Sequence, residues 1–473
     1  MNKLEALPFG PAVAASAQQQ QQPAIDDDEA AFCYEPHVLC PACRALLTLA
    51  VARHRERGAQ LSEYLATTYD FGRLCASARL GCHVCALFEA ALWTRPRDIV
   101  DAAARMCDWT VALPVFSNDG GGAGVAGPGT APRAGLSLGR STGDEETFGV
   151  AKRWLSKCLE EHKLCAENDD AARVVRPKRL LQLEDTISLV DSTVAAGQEY
   201  VALSHCWGRQ VLVPRLLKET EAELRAGVGL SYLPKTFQDA VLITKKLGFR
   251  FLWIDSLCII QDSAEDWKDQ AEIMALVYNN SVLTIAALKS SGSHEGCFTD
   301  ARNPLRLRPC IVDELGVSVS SWNPGRLWEV EVNSSGYGAS PLHSRAWVVQ
   351  ERYSAPRTLL YGANGIYWEC RCAQASEAHY CDVAWDDEAN KKTWLQRLEI
   401  GSTDDAQQHS NETTNKASAM VPWKDHWIGL LKTYSSCQLT QSTDKIIAVT
   451  GLIKEIERRS QGEASMHFGA VGL

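Results

Sequence analysis

Three short apolar runs separated by two stretches of helical periodicity restrict this chain more than any other feature. The runs are "YVALS" from Tyr200, "FRFLWID" ending at Asp255 and "SVLTIAAL" from Ser281. Between the first two, "PKTFQDAVLITKKLG" places Phe237, Ala240, Val241, Thr244 and Leu247 on one helical face, with Pro234 and Thr236 at its start and Gly248 at its end. Between the second and third, "DSAEDWKDQAEIMALVYNN" sets Ser263 and Asp266 in a capping-box relation and Trp267, Ala271, Met274 and Tyr278 on one face. A strand, a crossover helix and a second strand form a parallel, right-handed unit, because a right-twisted strand feeding a right-handed helix packs back only that way. The expected fold is α/β with a Rossmann-like βαβ central domain.

Open α/β sheets bind ligands outside the carboxyl ends of their parallel strands. Ser204, His205 and Cys206 follow the first strand, and Asp255, Ser256 and Cys258 follow the second. Asp255 reads equally as a general base or ribose-hydroxyl acceptor and as a carboxylate that caps or braces a loop. Ser204 is the residue best placed to face a ligand. Cys206 and Cys258 read as small apolar side chains rather than nucleophiles. Adjacent strand residues point to opposite faces, so a Ser204–His205 or His205–Cys206 dyad has poor geometry. No G-x-S-x-G elbow and no glycine-rich phosphate loop accompanies these residues. Further on, "RAWVVQER" offers Arg345, Gln350 and Glu351, which read as an anion-holding group or as an Arg–Glu bridge pinning the segment.

The flanks divide by composition. Residues 1–30 carry a glutamine run and an acidic run with little to bury, and are expected to be disordered. Residues 31–117 read as a helical, Cys-rich region, 118–145 as a flexible Gly/Pro/Ser-rich loop, and 146–199 as a helix and short strands leading into the core. The central domain spans 200–352, and 353–473 forms a mixed β/α carboxyl-terminal extension; residues 305–370 read as mostly β. At 473 residues the chain exceeds what one core usually supports, so two or three compact units are expected.

The formal charge of −10 gives no basic footprint for phosphate backbones, which argues against nucleic acid as a partner. No apolar run is long enough to span a membrane and no secretory signal pattern opens the chain, so the expected location is cytoplasmic. In that reducing setting the 17 cysteines are thiols or metal ligands rather than bridges. Cys40-x-x-Cys43 and Cys82-x-x-Cys85 have the spacing that lets paired thiolates reach one tetrahedral, structural zinc; the alternative is four buried thiols. Cys158, His162 and Cys165 form a second, smaller cluster on one side of a helix.

"YVALSHCWG", "LPKTFQDAVLITKKLGFRFLWIDSLCIIQDSAEDWKDQAEIMALVYNNSVLTIAA" and "RAWVVQER" together resemble the three ordered blocks of the fungal heterokaryon incompatibility (HET) domain. The flanking "GCHVCALF", "WLSKCLEEHKLC", "EGCF" and "YSSCQLTQSTDKIIAVTGL" resemble the family too. His205 stands where the first block usually carries tyrosine. The resemblance implies a role in fungal self/non-self recognition and programmed cell death, with a protein partner or self-association in signalling. It also implies a remote relation to the Toll/interleukin-1 receptor (TIR) fold, some members of which cleave NAD with a glutamate. Glu272 is the residue matched to that glutamate, with Asp255 and Ser204 beside it, although Glu272 lies off the centre of the helix's buried stripe. Two classes stay open: an enzyme that hydrolyses NAD or a related nucleotide, and a non-catalytic signalling module.

Overall fold

A computed structural model describes residues 38–57, 65–69, 71–93, 109–113, 115–117, 139–166, 175–208, 214–300, 302–307, 310–312, 317–319, 332, 340–377, 422–439 and 442–459. The expected tail at 1–30 and most of the expected loop at 118–145 lie outside these residues.

The fold is mixed α/β around an eight-stranded sheet. Its strands are β1 (Arg179–Leu183), β2 (Ile187–Asp191), β3 (Val201–Ser204), β4 (Phe251–Trp253), β5 (Leu283–Ala286), β6 (Arg357–Tyr361), β7 (Ile366–Cys370) and β8 (Gln374–Ser376). Their spatial order is β8-β7-β6-β5-β3-β4-β1-β2. Four central strands, β4, β3, β5 and β6, are mutually parallel, and an antiparallel pair extends the sheet on each side. Every residue of β3, β5 and β6 is buried, as expected of strands covered on both faces. The sheet thus draws strands from before Tyr200 and after Arg352 as well as from between them.

After the short helix α6 (Glu221–Ala226), the first crossover helix is α7 (Lys235–Lys246), and α9 (Ala264–Asn279) is the second, both bounded close to where their sequence signals fall. Ser263 Oγ accepts from Asp266 N at 3.3 Å, so the cap read from the sequence is formed. Between β4 and α9 lies the single turn α8 (Asp255–Cys258). The returning half of the capping box is not formed, since Ser263 N donates to the Ile260 carbonyl and the buried Asp266 carboxylate instead pairs with the Arg179 guanidinium and accepts from Ile260 N at 2.8 Å. That pair locks the start of α9 to β1.

Helix α4 (Glu145–Glu161), followed by the turn α5 (Lys163–Ala166), lies beside α7, with Lys246 paired to Glu145. Trp154 of α4 packs on Trp368 of β7 at 6.4 Å. The helix α10 (Ala346–Ser354) packs with α9 and with α12 (Ile447–Arg459), while α11 (Pro422–Ser436) closes this layer. The segment 305–370, read as mostly β, therefore contains a helix as well as strands. Its Trp-Val-Val composition favours strands, but Ala346 and Val349 are buried in the cluster that holds Ala448, Val449 and Leu452.

The amino-terminal unit holds α1 (Pro41–Arg57), α2 (Phe71–Arg79) and α3 (His83–Trp93). An antiparallel pair, Leu65–Tyr69 with Trp109–Leu113, accompanies these helices in a region read as helical only. Alternating Thr, Tyr, Val and Trp are residues that favour such a pleated surface. Leu305 and Cys310 complete this unit's core, and Asn303 donates to the Ala78 carbonyl, so it docks onto the segment after β5.

Candidate functional site at the carboxyl ends of the parallel strands

Strand order reverses at β3: the chain moves from β3 to β4 on one side and then to β5 on the other. Open α/β sheets bind ligands at such a switch point, and the residues after β3 and β4 stand there. Alternation along the strand separates neighbours. The Ser204 hydroxyl donates to Glu351 Oε2 on α10, whereas the His205 ring lies edge-on to Phe237 of α7 at 4.9 Å.

Asp255 is held by its own turn and by the strand beside it. Its carboxyl accepts from Trp207 Nε1 at 2.9 Å and from Ser256 N at 2.7 Å, and Oδ1 lies 3.9 Å from His205 Nδ1. Arg345 donates to the His205 carbonyl oxygen. The charge of Arg345 acts on Glu351, and the Arg–Glu bridge that pins this segment to the sheet runs from Arg352 to Glu369 of β7 at 2.8 Å. Tyr278 of α9 donates to the Leu203 carbonyl at 3.2 Å and also faces the Glu351 carboxyl.

Ser204, His205 and Glu351 are each at most 3% exposed. Burial pushes the Glu351 carboxyl up to about 7, against the opposing pull of Arg345 and the Ser204 hydroxyl. Burial lowers His205 to about 4, with Asp255 opposing. The same cause pushes Cys206 up to about 11 and Cys258 to about 12. Two buried polar atoms, His205 Nε2 and Ser256 Oγ, have no partner among the described residues. Unsatisfied buried groups are costly, and Arg176, Trp253, Tyr361, Gln374 and Glu377 carry others elsewhere among the described residues.

The loop after β5 covers this end of the sheet. Gly208, at φ +83°, brings its backbone so close to Gly292 that an added Cβ would stand 3.0 Å from Gly292 Cα. Asp239 of α7 anchors the same loop, accepting from Cys297 N at 2.8 Å and pairing with Lys235 Nζ at 2.5 Å.

Residues 200–351 match the family model for the heterokaryon incompatibility protein (HET). Those residues form a HET domain. No curated protein and no solved structure matches it. The HET match contains Ser204, Asp255, Arg345 and Glu351, so the whole strand-end cluster belongs to the HET domain, while β1, β2, β6, β7 and β8 lie outside the match.

Of the residues singled out from sequence, Ser204 and Asp255 sit in this cluster. Glu272 does not: it is exposed on the solvent face of α9, and no hydrogen bond or ion pair links it to the cluster among the described residues. The carboxyl that does reach Ser204 is Glu351, read from sequence as one end of a structural bridge.

Outside the HET match, Cys40, Cys43, Cys82 and Cys85 converge, all four sulfurs lying within 4.8 Å of one another. Cys85 Sγ is 3.9 Å from Cys40 Sγ and 3.5 Å from Cys43 Sγ. A tetrahedron with metal–sulfur bonds of about 2.3 Å has edges of about 3.8 Å, so this set can hold a metal ion. Cys158, His162 and Cys165 also converge, joined by Cys370 of β7, which spacing along the chain could not reveal. Among the described residues no helix is long and apolar enough to cross a membrane.

Proposed function

We propose that this HET-domain protein acts in the cytoplasm in fungal self/non-self recognition, promoting programmed cell death, and that the strand-end cluster is a centre that cleaves NAD or a related nucleotide. The observation that carries this reading is Glu351, a buried carboxyl raised to about 7 at the carboxyl ends of parallel strands, where a general acid or base works best near the operating pH.

In the cleavage, the bond between the ribosyl anomeric carbon and the nicotinamide nitrogen breaks, and its electron pair leaves with nicotinamide. Water adds to the anomeric carbon and its proton passes to the Glu351 carboxylate. Asp255 faces the ribosyl cation or its hydroxyls, Arg345 takes the phosphates, and Ser204 holds Glu351 in place. Access runs past Asp255, whose side chain is 14% exposed, and past the part-exposed Trp207 and Arg345. The Cys40, Cys43, Cys82 and Cys85 thiolates hold a structural zinc, since four protein ligands leave no open position for chemistry.

One observation favours a second reading. The near-complete burial of Ser204, His205 and Glu351 suits a non-catalytic signalling module in which a protein partner, or a second copy, acts on a closed domain.

The full chain incubated with NAD, with nicotinamide release followed, separates the two. Turnover is expected from the wild type and from Glu272→Gln, and is expected to vanish in Glu351→Gln and Asp255→Asn. A folded wild type that releases no nicotinamide leaves only the signalling reading. Activity lost in Glu272→Gln and kept in Glu351→Gln moves the centre to α9.

A further inference from the structure

We propose that Cys158, His162, Cys165 and Cys370 form a second zinc site, which fastens the segment before the HET match to the segment after it. The four ligand atoms lie within 4.8 Å of one another, and Cys370 Sγ is 3.4 Å from His162 Nδ1. Zinc bonds of about 2.3 Å to sulfur and about 2.1 Å to imidazole nitrogen set ligand-to-ligand edges of about 3.6–3.8 Å, so the set closes on an ion with sub-ångström adjustments.

Local structure presents these ligands without any need for the metal to reorganise the chain. Cys158 lies in the last turn of α4, and His162 follows as its carboxyl-terminal cap, four residues on and so on the same face. The chain then re-enters the turn α5, which carries Cys165. The fourth ligand comes from the end of β7, 208 residues from His162.

The surroundings supply the charge such a site needs. Arg357 of β6 is 5% exposed; its Nε donates to Cys158 Sγ at 3.2 Å, and its remaining bonds go to the Cys165 and Val282 carbonyls. No described carboxylate pairs with it. A buried guanidinium facing neutral thiols would stand uncompensated, at a penalty of several kcal/mol. Three thiolates and a neutral imidazole around Zn²⁺ carry one net negative charge, which Arg357 neutralises. Ala373 N donates to Cys370 Sγ at 3.2 Å, the kind of backbone support that orients a metal-bound thiolate. Binding releases the three thiol protons to solvent and involves no redox step. With four protein ligands the ion is structural.

Cys372, whose sulfur is 3.7 Å from Cys165 Sγ, stands outside the set of four and serves as the control. Zinc and iron content per chain would be measured by elemental analysis on the full-length protein. Two zinc ions are expected in the wild type and in Cys372→Ser, one in Cys85→Ser and none in the Cys85→Ser, Cys370→Ser double variant. Zinc in Cys85→Ser that is unchanged by adding Cys370→Ser overturns the site, as does iron in place of zinc, and loss through Cys372→Ser overturns the ligand set. Should Cys370→Ser fail to fold, cobalt titration of Cys85→Ser decides. One equivalent with the visible bands and thiolate charge transfer of a tetrahedral three-sulfur site supports the assignment, and their absence refutes it.

Discussion

Replacing Glu351 with glutamine removes one titration from the middle of the fold, and its effect on stability has a sign and a pH window. The carboxyl has an ordinary value of 4.5 and stands at about 7 in the folded chain, chiefly through burial. Between those values the folded chain keeps a proton that the unfolded chain has released. Its contribution to stability is therefore full below the ordinary value and is lost as pH rises through the folded one. At about 1.4 kcal/mol per pH unit the gap amounts to about 3 kcal/mol. His205 works the other way: burial lowers it from 6.5 to about 4, so its contribution is present above 6.5 and lost as pH falls through about 4. The two slopes oppose each other between 4.5 and 6.5, Glu351 acts alone from there to about 7, and above that neither group contributes a slope. Urea unfolding followed from pH 5 to 9 should show the wild type losing about 3 kcal/mol more than Glu351→Gln, or roughly 6–12 °C in thermal midpoint at about 2–4 °C per kcal/mol. Profiles that run parallel over this range would mean that Glu351 is ionised at no unusual cost, and the electrostatic basis of the proposed centre would fail.

Glu272→Gln should change stability by no more than about 0.5 kcal/mol at any pH in that range, since the side chain is exposed; a larger shift in urea midpoint would place Glu272 in contacts the fold does not give it. Gly208→Ala combines a positive φ with a Cβ 3.0 Å from Gly292 Cα, whereas Gly248→Ala has a positive φ in open space. Both should destabilise, Gly248→Ala by about 1 kcal/mol and Gly208→Ala by more; equal losses in thermal unfolding would show that the loop after β5 does not press on Gly208. Asp239→Ala strands the buried Cys297 N–H and should lower stability by about 2–4 kcal/mol, with protease cleavage appearing in the loop after β5. An Asp239→Ala protein as resistant as the wild type would show that the loop is held elsewhere.

The parts of this fold legible in the sequence are those whose signals are local. The apolar stripe Phe237, Ala240, Val241 and Thr244 is buried in α7, and Ser263 caps α9, because periodicity and capping act within a few residues. The placement of Ser204 and Asp255 at one edge of the sheet followed from strand polarity alone, since parallel strands must deliver their carboxyl ends to the same edge. What stayed hidden is set by chain closure over long separations. Glu351 meets Ser204 across 147 positions and Cys370 meets His162 across 208, and no local pattern encodes either meeting. A weak signal did exist in each case: Glu351 belongs to one of the three ordered HET blocks, and three ligands of a four-ligand set had already converged on one helix side. Glu272 shows the converse. Its position off the buried stripe of α9 was readable and pointed outward, and only the resemblance to a distant fold drew it toward the chemistry. The HET match itself ends at Glu351, yet β6, β7 and β8 continue the sheet and β1 and β2 border its other side. A segment confined to 200–351 would leave both β4 and β5 as exposed edges with unpaired backbone groups. The Cys158–Cys370 cluster ties the outer strands to the helix that precedes them, and so the unit that must fold together is the one that runs from α4 through β8.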